Sequence, residues 1–186
     1  MTKFILQGGY TSAPVKSNIE FYQEIVRGLK ESVTILCVYF ASEKEKWSVL
    51  FEQEQTKFKN ANPKTKMNFI MATEDNFVKN TKKTQVIFLR GGRDSMIYQY
   101  FKHLDNLKSI LNNKVVVGSS AGAYVLSKYF YSNDEDKIKE GTGALPIKVF
   151  CHFSENKIDK LEKLRKHGED LPIYTIPEYK YVVLER

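Results

Sequence analysis

The run Val115-Val116-Val117-Gly118-Ser119-Ser120-Ala121-Gly122-Ala123 constrains this chain more than any other stretch. A short β-branched run ends in small residues and passes directly into a helix-like segment, Tyr124–Phe130. A buried strand that turns sharply into a helix needs small residues around the turn, because the backbone at its tip is strained. Gly118 and Gly122 stand two residues to either side of Ser120, which puts Ser120, not Ser119, at the tip. The first turn of the following helix has unpaired N–H groups, and they point at that tip. This arrangement is a nucleophile elbow, and it makes the Ser120 hydroxyl a candidate nucleophile.

The rest of the chain reads as a fold that can carry such a turn. Apolar runs alternate with helical patterns, as in a parallel sheet with crossover helices. Strands are expected at Lys3–Gln7, Val33–Phe40, Met67–Ala72, Val86–Leu89 and Val115–Val117. Helices are expected at Ser17–Lys30, with apolar residues near a 3.6-residue spacing, at Glu43–Phe58, and at Asp94–Leu111 capped by Asp94. After the elbow come a polar loop, Ser132–Glu140, a strand Pro146–Phe150, and a helix Ser154–His167 with Ser154 as N-cap. Two last strands follow, Pro172–Ile176 and Tyr181–Leu184. The expected fold class is α/β, a three-layer α/β/α sandwich with a mainly parallel sheet, folded as one domain over residues 1–186.

Composition narrows the function classes. No apolar run approaches the ~20 residues of a membrane span, and Phe4-Ile5-Leu6 is cut short by Gln7 and two glycines, unlike a signal-peptide core. The expected location is cytoplasmic, where Cys37 and Cys151 stay as thiols, not a disulfide. The net charge is +7, but 24 of the 29 basic residues are lysines interleaved with acids, as in Glu43-Lys44-Glu45-Lys46. That pattern is a solvated surface, so neither nucleic acid nor membrane is an expected partner. Gly8-Gly9 lacks the third glycine of a dinucleotide loop, and no cluster has metal-ligand spacing, so no cofactor and no metal are expected.

A serine nucleophile needs a base. His103 falls inside a helix and His167 at a helix end, where packing and the helix dipole account for them. His152 ends a strand and can lean over the sheet edge toward Ser120. A carboxylate must then orient the ring. Glu178, just after a strand, is preferred, and Asp134, in the acidic loop, is the alternative. Glu178 also reads as a turn residue between two hairpin strands. Cys151 adjoins His152 on the strand and points to the opposite face. For an oxyanion, amides near Gly92 or Arg93 and the amide of Ala121 are the expected donors.

Four segments together resemble the aspartyl dipeptidase (dipeptidase E) and cyanophycinase family of serine peptidases. They are Phe88-Leu89-Arg90-Gly91-Gly92-Arg93-Asp94-Ser95, Gly118-Ser119-Ser120-Ala121-Gly122-Ala123, Cys151-His152-Phe153 and Ile176-Pro177-Glu178. The resemblance implies a class I glutamine-amidotransferase-like (flavodoxin-like) sandwich without metal or organic cofactor. It implies Ser120 as nucleophile, His152 as base and Glu178 as acid, with Asp134 also at a family position considered for the acid. This chain departs from the usual dipeptidase at Arg93, where a third glycine is usual, in a shorter segment after His152, and in ending soon after Glu178. Aspartyl specificity is therefore not carried over. The resulting expectation is a serine-type peptidase of small peptides, monomeric or homodimeric. The alternative is a non-catalytic ligand-binding or regulatory protein that retains the hydrolase fold.

Overall fold

The computed structural model describes residues 1–29 and 32–186. Five strands alternate with helices in the first part of the chain: β1 (Lys3–Gln7), α1 (Lys16–Val26), β2 (Ser32–Val38), α2 (Trp47–Ala61), β3 (Lys66–Met71), α3 (Phe77–Thr81), β4 (Val86–Leu89), α4 (Asp94–Phe101), α5 (Leu107–Leu111) and β5 (Val115–Ser119). The elbow leads into α6 (Ala121–Leu126), β6 (Tyr129–Ser132), β7 (Lys137–Glu140), β8 (Lys148–Cys151), α7 (Ile158–Lys166), β9 (Ile173–Ile176) and β10 (Tyr181–Glu185). The expected end of the first helix at Lys30 lies outside the described residues.

The larger sheet has the order β10-β1-β5-β4-β2-β3, parallel throughout except for β10, which runs antiparallel to β1. From β1 the chain steps along the sheet to β2 and β3, then reverses through β4 to β5. Right-handed crossovers send the helices of the two directions to opposite faces. Accordingly, α1 packs on α2, α3 packs on α5, and α4 packs on α6. Each residue of β4 and β5 is buried, as their continuous apolar runs require for strands covered on both sides. On the α1–α2 face, Phe58 packs edge-on against Tyr22 (4.9 Å between centroids) and Phe88 (5.5 Å). On the other face Phe40, Phe77, Tyr100 and Phe101 form a second aromatic group. The mainly parallel sheet with helices on both faces agrees with the expected fold class. No helix among the described residues is long and apolar enough to cross a membrane.

Several local expectations are corrected. A second, four-stranded sheet, β7-β6-β8-β9, lies beyond α6. The last two strands do not form a hairpin: β9 pairs with β8, β10 pairs with β1, and Pro177–Lys180 passes between the two sheets. The helix expected over Asp94–Leu111 is broken into α4 and α5, with Asn106 in a left-handed conformation (φ 58°). The apolar spacing of Phe101, Leu104 and Leu107 runs across the break, so periodicity does not reveal it. Arg93 is the N-cap residue of α4, and the Asp94 carboxylate turns instead to Ser132 and Lys139. The helix after the elbow starts and ends earlier than expected, and Tyr129–Ser132 is a strand with the aromatic content that favours one. Part of the expected loop is β7, paired with β6 around a turn in which Asp136 has φ 50°. The helix after β8 begins as a 3-10 turn at Glu155–Lys157, and the Ser154 hydroxyl bonds Asn156, not a backbone amide.

The elbow helix sits against the sheet through Gly122. A Cβ there would fall 2.1 Å from the carbonyl oxygen of Leu89 in β4. Gly122→Ala must therefore push α6 off the sheet. We expect a destabilisation of about 2–3 kcal/mol, read in thermal unfolding as a Tm lowered by about 5–10 °C.

Candidate active site

The connections that follow β1 and β5 leave toward opposite faces, although the two strands are neighbours. Such a switch point opens a crevice at the carboxyl ends of the strands. The ladder there pairs Gln7 with Ser119, so Gly8-Gly9 and Ser120 emerge side by side. Ser120 has φ 48° and ψ −112°, a conformation rare for a residue with a side chain. Its amide donates to the Gln7 carbonyl at 2.8 Å, and its own carbonyl accepts from Ala123 (2.8 Å) and Tyr124 (3.0 Å). Both sides of the turn are thus held, and the hydroxyl stands into the crevice. Ser119 does not compete for that place: its hydroxyl accepts from the Gly91 amide at 3.2 Å.

His152 follows β8, with φ 52° and its amide donating to the Gly8 carbonyl at 3.0 Å. That bond joins the second sheet to the end of β1. The imidazole Nε2 lies 2.9 Å from Ser120 Oγ, and Nδ1 lies 3.5 Å from Glu178 Oε1. With the ring proton on Nδ1, facing Glu178, Nε2 is free to accept from the serine hydroxyl. Burial pushes the His152 pKa below its ordinary 6.5; Glu178 opposes that shift, Lys157 adds to it, and Asp134 opposes it more weakly. A neutral ring is the form that can take a proton. The ring has little room. A Cβ on Gly9 would fall 2.0 Å from His152 Cε1, so only glycine leaves the imidazole where it is. Tyr10 packs edge-on against it, 5.6 Å between centroids.

Not all the expected groups gather here. Glu178 reaches His152 from the connection between the two sheets, while Asp134 is exposed on the wall of the crevice and hydrogen-bonds no histidine among the described residues. Glu178 is therefore not a hairpin turn residue. The amides of Gly92 and Ala121 have no acceptor among the described residues. Arg93 is a correction: its amide donates to the Ala41 carbonyl at 2.8 Å and so is not free for an oxyanion, and its exposed guanidinium bonds Glu43 at 3.0 Å, away from the residues that line the crevice. Cys151 points into the protein, toward the carbonyls of Gln7 and Ser120, and burial drives its thiol pKa up. His103, expected inside a helix, is exposed in the turn between α4 and α5, and His167 packs on the ring of Tyr129.

The crevice encloses about 300 Å³. Its walls come from the β1–α1 loop (Gly9–Ser12), Arg90–Gly92, the elbow, Tyr124, and the β6–β7 turn with Asn133 and Asp134. Sequence reasoning missed Tyr10, Arg90, Tyr124 and Asn133. Arg90 adjoins the Gly91-Gly92 pair, so its place is readable from sequence; Asn133 is not, because nothing local distinguishes its turn from a polar loop. Arg90 is held from behind by the fully buried carboxylate of Glu54, at 3.5 Å. Asp94 is held by Ser132 (2.6 Å) and Lys139 (2.7 Å).

The profile of peptidase family S51 matches residues 5–186. Two solved structures share the fold. A peptidase from an acI-B1 Actinobacterium is 22% identical, with 98% of this chain and 83% of that chain covered and a TM-score of 0.65. A candidate peptidase E from Listeria monocytogenes EGD-e is 14% identical, with 99% and 94% covered and a TM-score of 0.68. No curated protein sequence matches the chain. The chain belongs to peptidase family S51 and is a serine-type peptidase by that membership.

The surroundings of His152 predict its titration. In ring-resolved NMR the wild-type imidazole should titrate below 6.5. Glu178 favours the protonated ring, so Glu178→Gln should lower the midpoint further; a rise would contradict the pairing.

Proposed function

We propose that Ser120, His152 and Glu178 act as nucleophile, base and orienting acid in the hydrolysis of small peptides. The observation that carries this reading is the 2.9 Å contact of Ser120 Oγ with His152 Nε2, on an elbow flanked by two unengaged amides. Ser120 attacks the peptide carbonyl as Nε2 takes its proton. The amides of Gly92 and Ala121 receive the developing oxyanion. The imidazolium then protonates the leaving amine, and the acyl-enzyme is hydrolysed by water activated at the same nitrogen. Glu178 keeps the Nδ1 proton in place and stabilises the imidazolium. Gly92 and Ala121 take the oxyanion role without Arg93, whose amide is already used.

Small peptides fit the space. The crevice volume of about 300 Å³ is at the lower end of the range for small-molecule sites. Its charged groups Arg90 and Asp134 offer both signs of charge to the two ends of a short peptide. Asp134 serves better as such a wall group than as the acid, because Glu178 holds the place at Nδ1.

Two experiments test the reading. A fluorophosphonate probe should label the wild type and leave Ser120→Ala unlabelled; equal labelling of both, or none of the wild type alongside no peptide hydrolysis, refutes it. In steady-state kinetics on a peptide panel, Glu178→Gln should lower kcat by about 10²–10⁴-fold, whereas Asp134→Asn should change it by less than about tenfold. The reverse ranking would make Asp134 the acid.

A further inference from the structure

The base stands on an unusual piece of backbone. His152 leaves the end of β8 in a left-handed conformation, and the carbonyls of Cys151 and His152 both need partners as the strand stops. The Cys151 carbonyl accepts from Asn133 Nδ2 at 2.9 Å and from the Tyr124 hydroxyl at 3.2 Å. The His152 carbonyl accepts from the Lys157 ammonium at 2.6 Å. The same ammonium donates to Asn133 Oδ1 at 2.9 Å, and Asn133 Nδ2 also donates to the Tyr124 hydroxyl at 3.0 Å. Tyr124 is in the elbow helix, where its amide bonds the Ser120 carbonyl. A closed path of hydrogen bonds thus runs from the elbow through Tyr124, Asn133 and Lys157 to the backbone of His152.

Lys157 is the one cation in that path. It lies on the 3-10 turn after β8, half-buried, outside the walls of the crevice, with its ammonium 6.0 Å from the centroid of the Phe150 ring. Among the described residues it pairs with no carboxylate, so its ammonium is given over to neutral oxygens. A lysine has three donors and no acceptor, and its bonds to carbonyl oxygens are charge-assisted.

We infer that Lys157 is a positioning residue for His152: it clamps the His152 carbonyl to the Asn133 amide and so holds the imidazole at the elbow. The inference rests on the triad reading above. The groups that face the ring are the Ser120 hydroxyl, Glu178 from the sheet connection, Asp134 from the β6–β7 turn, Lys157 from the 3-10 turn, and Tyr10 from the β1–α1 loop. Of these, Glu178 and Asp134 favour the imidazolium and Lys157 disfavours it. The clamp therefore has an electrical effect as well as a geometric one. It helps keep the ring neutral in the free enzyme, which a purely structural tie would not do.

The test compares Lys157→Met, which keeps the stem and removes the donors, with Lys157→Arg, which keeps donors and charge. In K157M, kcat should fall by about 10- to 100-fold, the size of one lost charge-assisted hydrogen bond. KM should stay within about threefold, because Lys157 lies behind the crevice wall and does not itself line it. The acid limb of the kcat/KM profile should move to higher pH, and K157R should recover most of both. Ring-resolved NMR of His152 gives the same answer without turnover: its pKa should rise in K157M and return in K157R. If K157M is too unstable, Lys157→Gln is read in the same way. Wild-type kcat with an unmoved acid limb and unmoved His152 pKa in K157M overturns the inference. A wild type that neither labels at Ser120 nor cleaves peptides refutes the triad instead, and the NMR titration still decides whether Lys157 acts on the ring.

Discussion

The rest of the site depends on the backbone at Ser120 being held where it would not stay unaided. A residue with a side chain in that conformation costs of order 1–3 kcal/mol, and it persists only if its surroundings over-determine it. Here they do. The Ser120 amide is bonded to β1, its carbonyl to the first turn of α6, and the turn is closed by the approach of Gly118 to Gly122 and of Gly122 to Leu89. None of these contacts is a side-chain preference of the serine itself. The sheet register that pairs Gln7 with Ser119 is what places the acceptor for the Ser120 amide. A slip of β5 against β1 would remove it.

The second constraint is how the proposed base reaches the proposed nucleophile. His152 does not belong to the sheet that carries Ser120. It arrives on β8 of the smaller sheet, and the bond from its amide to the Gly8 carbonyl is where the two sheets meet. Glu178 lies on the link that crosses back from the smaller sheet to the larger one. Gly8-Gly9 is thus the hinge of the arrangement in a geometric sense: Gly8 accepts the His152 amide, and Gly9 leaves room for its ring. Side chains at these two positions would collide with Pro177 and with the imidazole respectively. The diglycine first weighed as a phosphate loop therefore has a full account as a close-packing device.

How much of this could be read in advance follows from which forces are local. The strands β1, β4 and β5 and the elbow were legible because a buried parallel strand writes its burial on every residue. Ser120, His152 and Glu178 were legible as candidates because each follows a strand. The second sheet was not. Its strands are short, β7 is mostly charged, and only its β6–β7 pairing is local: β6 with β8 and β8 with β9 join segments well separated in sequence. Arg93 was misjudged for a related reason. Its neighbours Gly91 and Gly92 suggest an open loop, but whether an amide is free depends on a distant carbonyl, that of Ala41, about which the local sequence says nothing. Asn133 and Lys157 were hidden in the same way, since a polar turn and a surface lysine look alike until their partners are known.

The contact of His152 with Glu178 is the loosest in the proposed triad. At 3.5 Å with a partly exposed acid, it is wider than a well-formed hydrogen bond and open to water. Burial, by contrast, already disfavours the imidazolium, and Lys157 works in the same direction. In the free protein the ring is therefore biased toward its neutral form, and the stabilisation of the charged form by Glu178 is weakened by solvent. A peptide in the crevice would exclude some of that water, strengthening the Glu178 interaction when the ring takes the Ser120 proton. On this reading the wide contact suits a base that must be neutral before the reaction and charged within it. In the proposed triad the elbow and Lys157 set position, and the proposed acid is left to respond to charge.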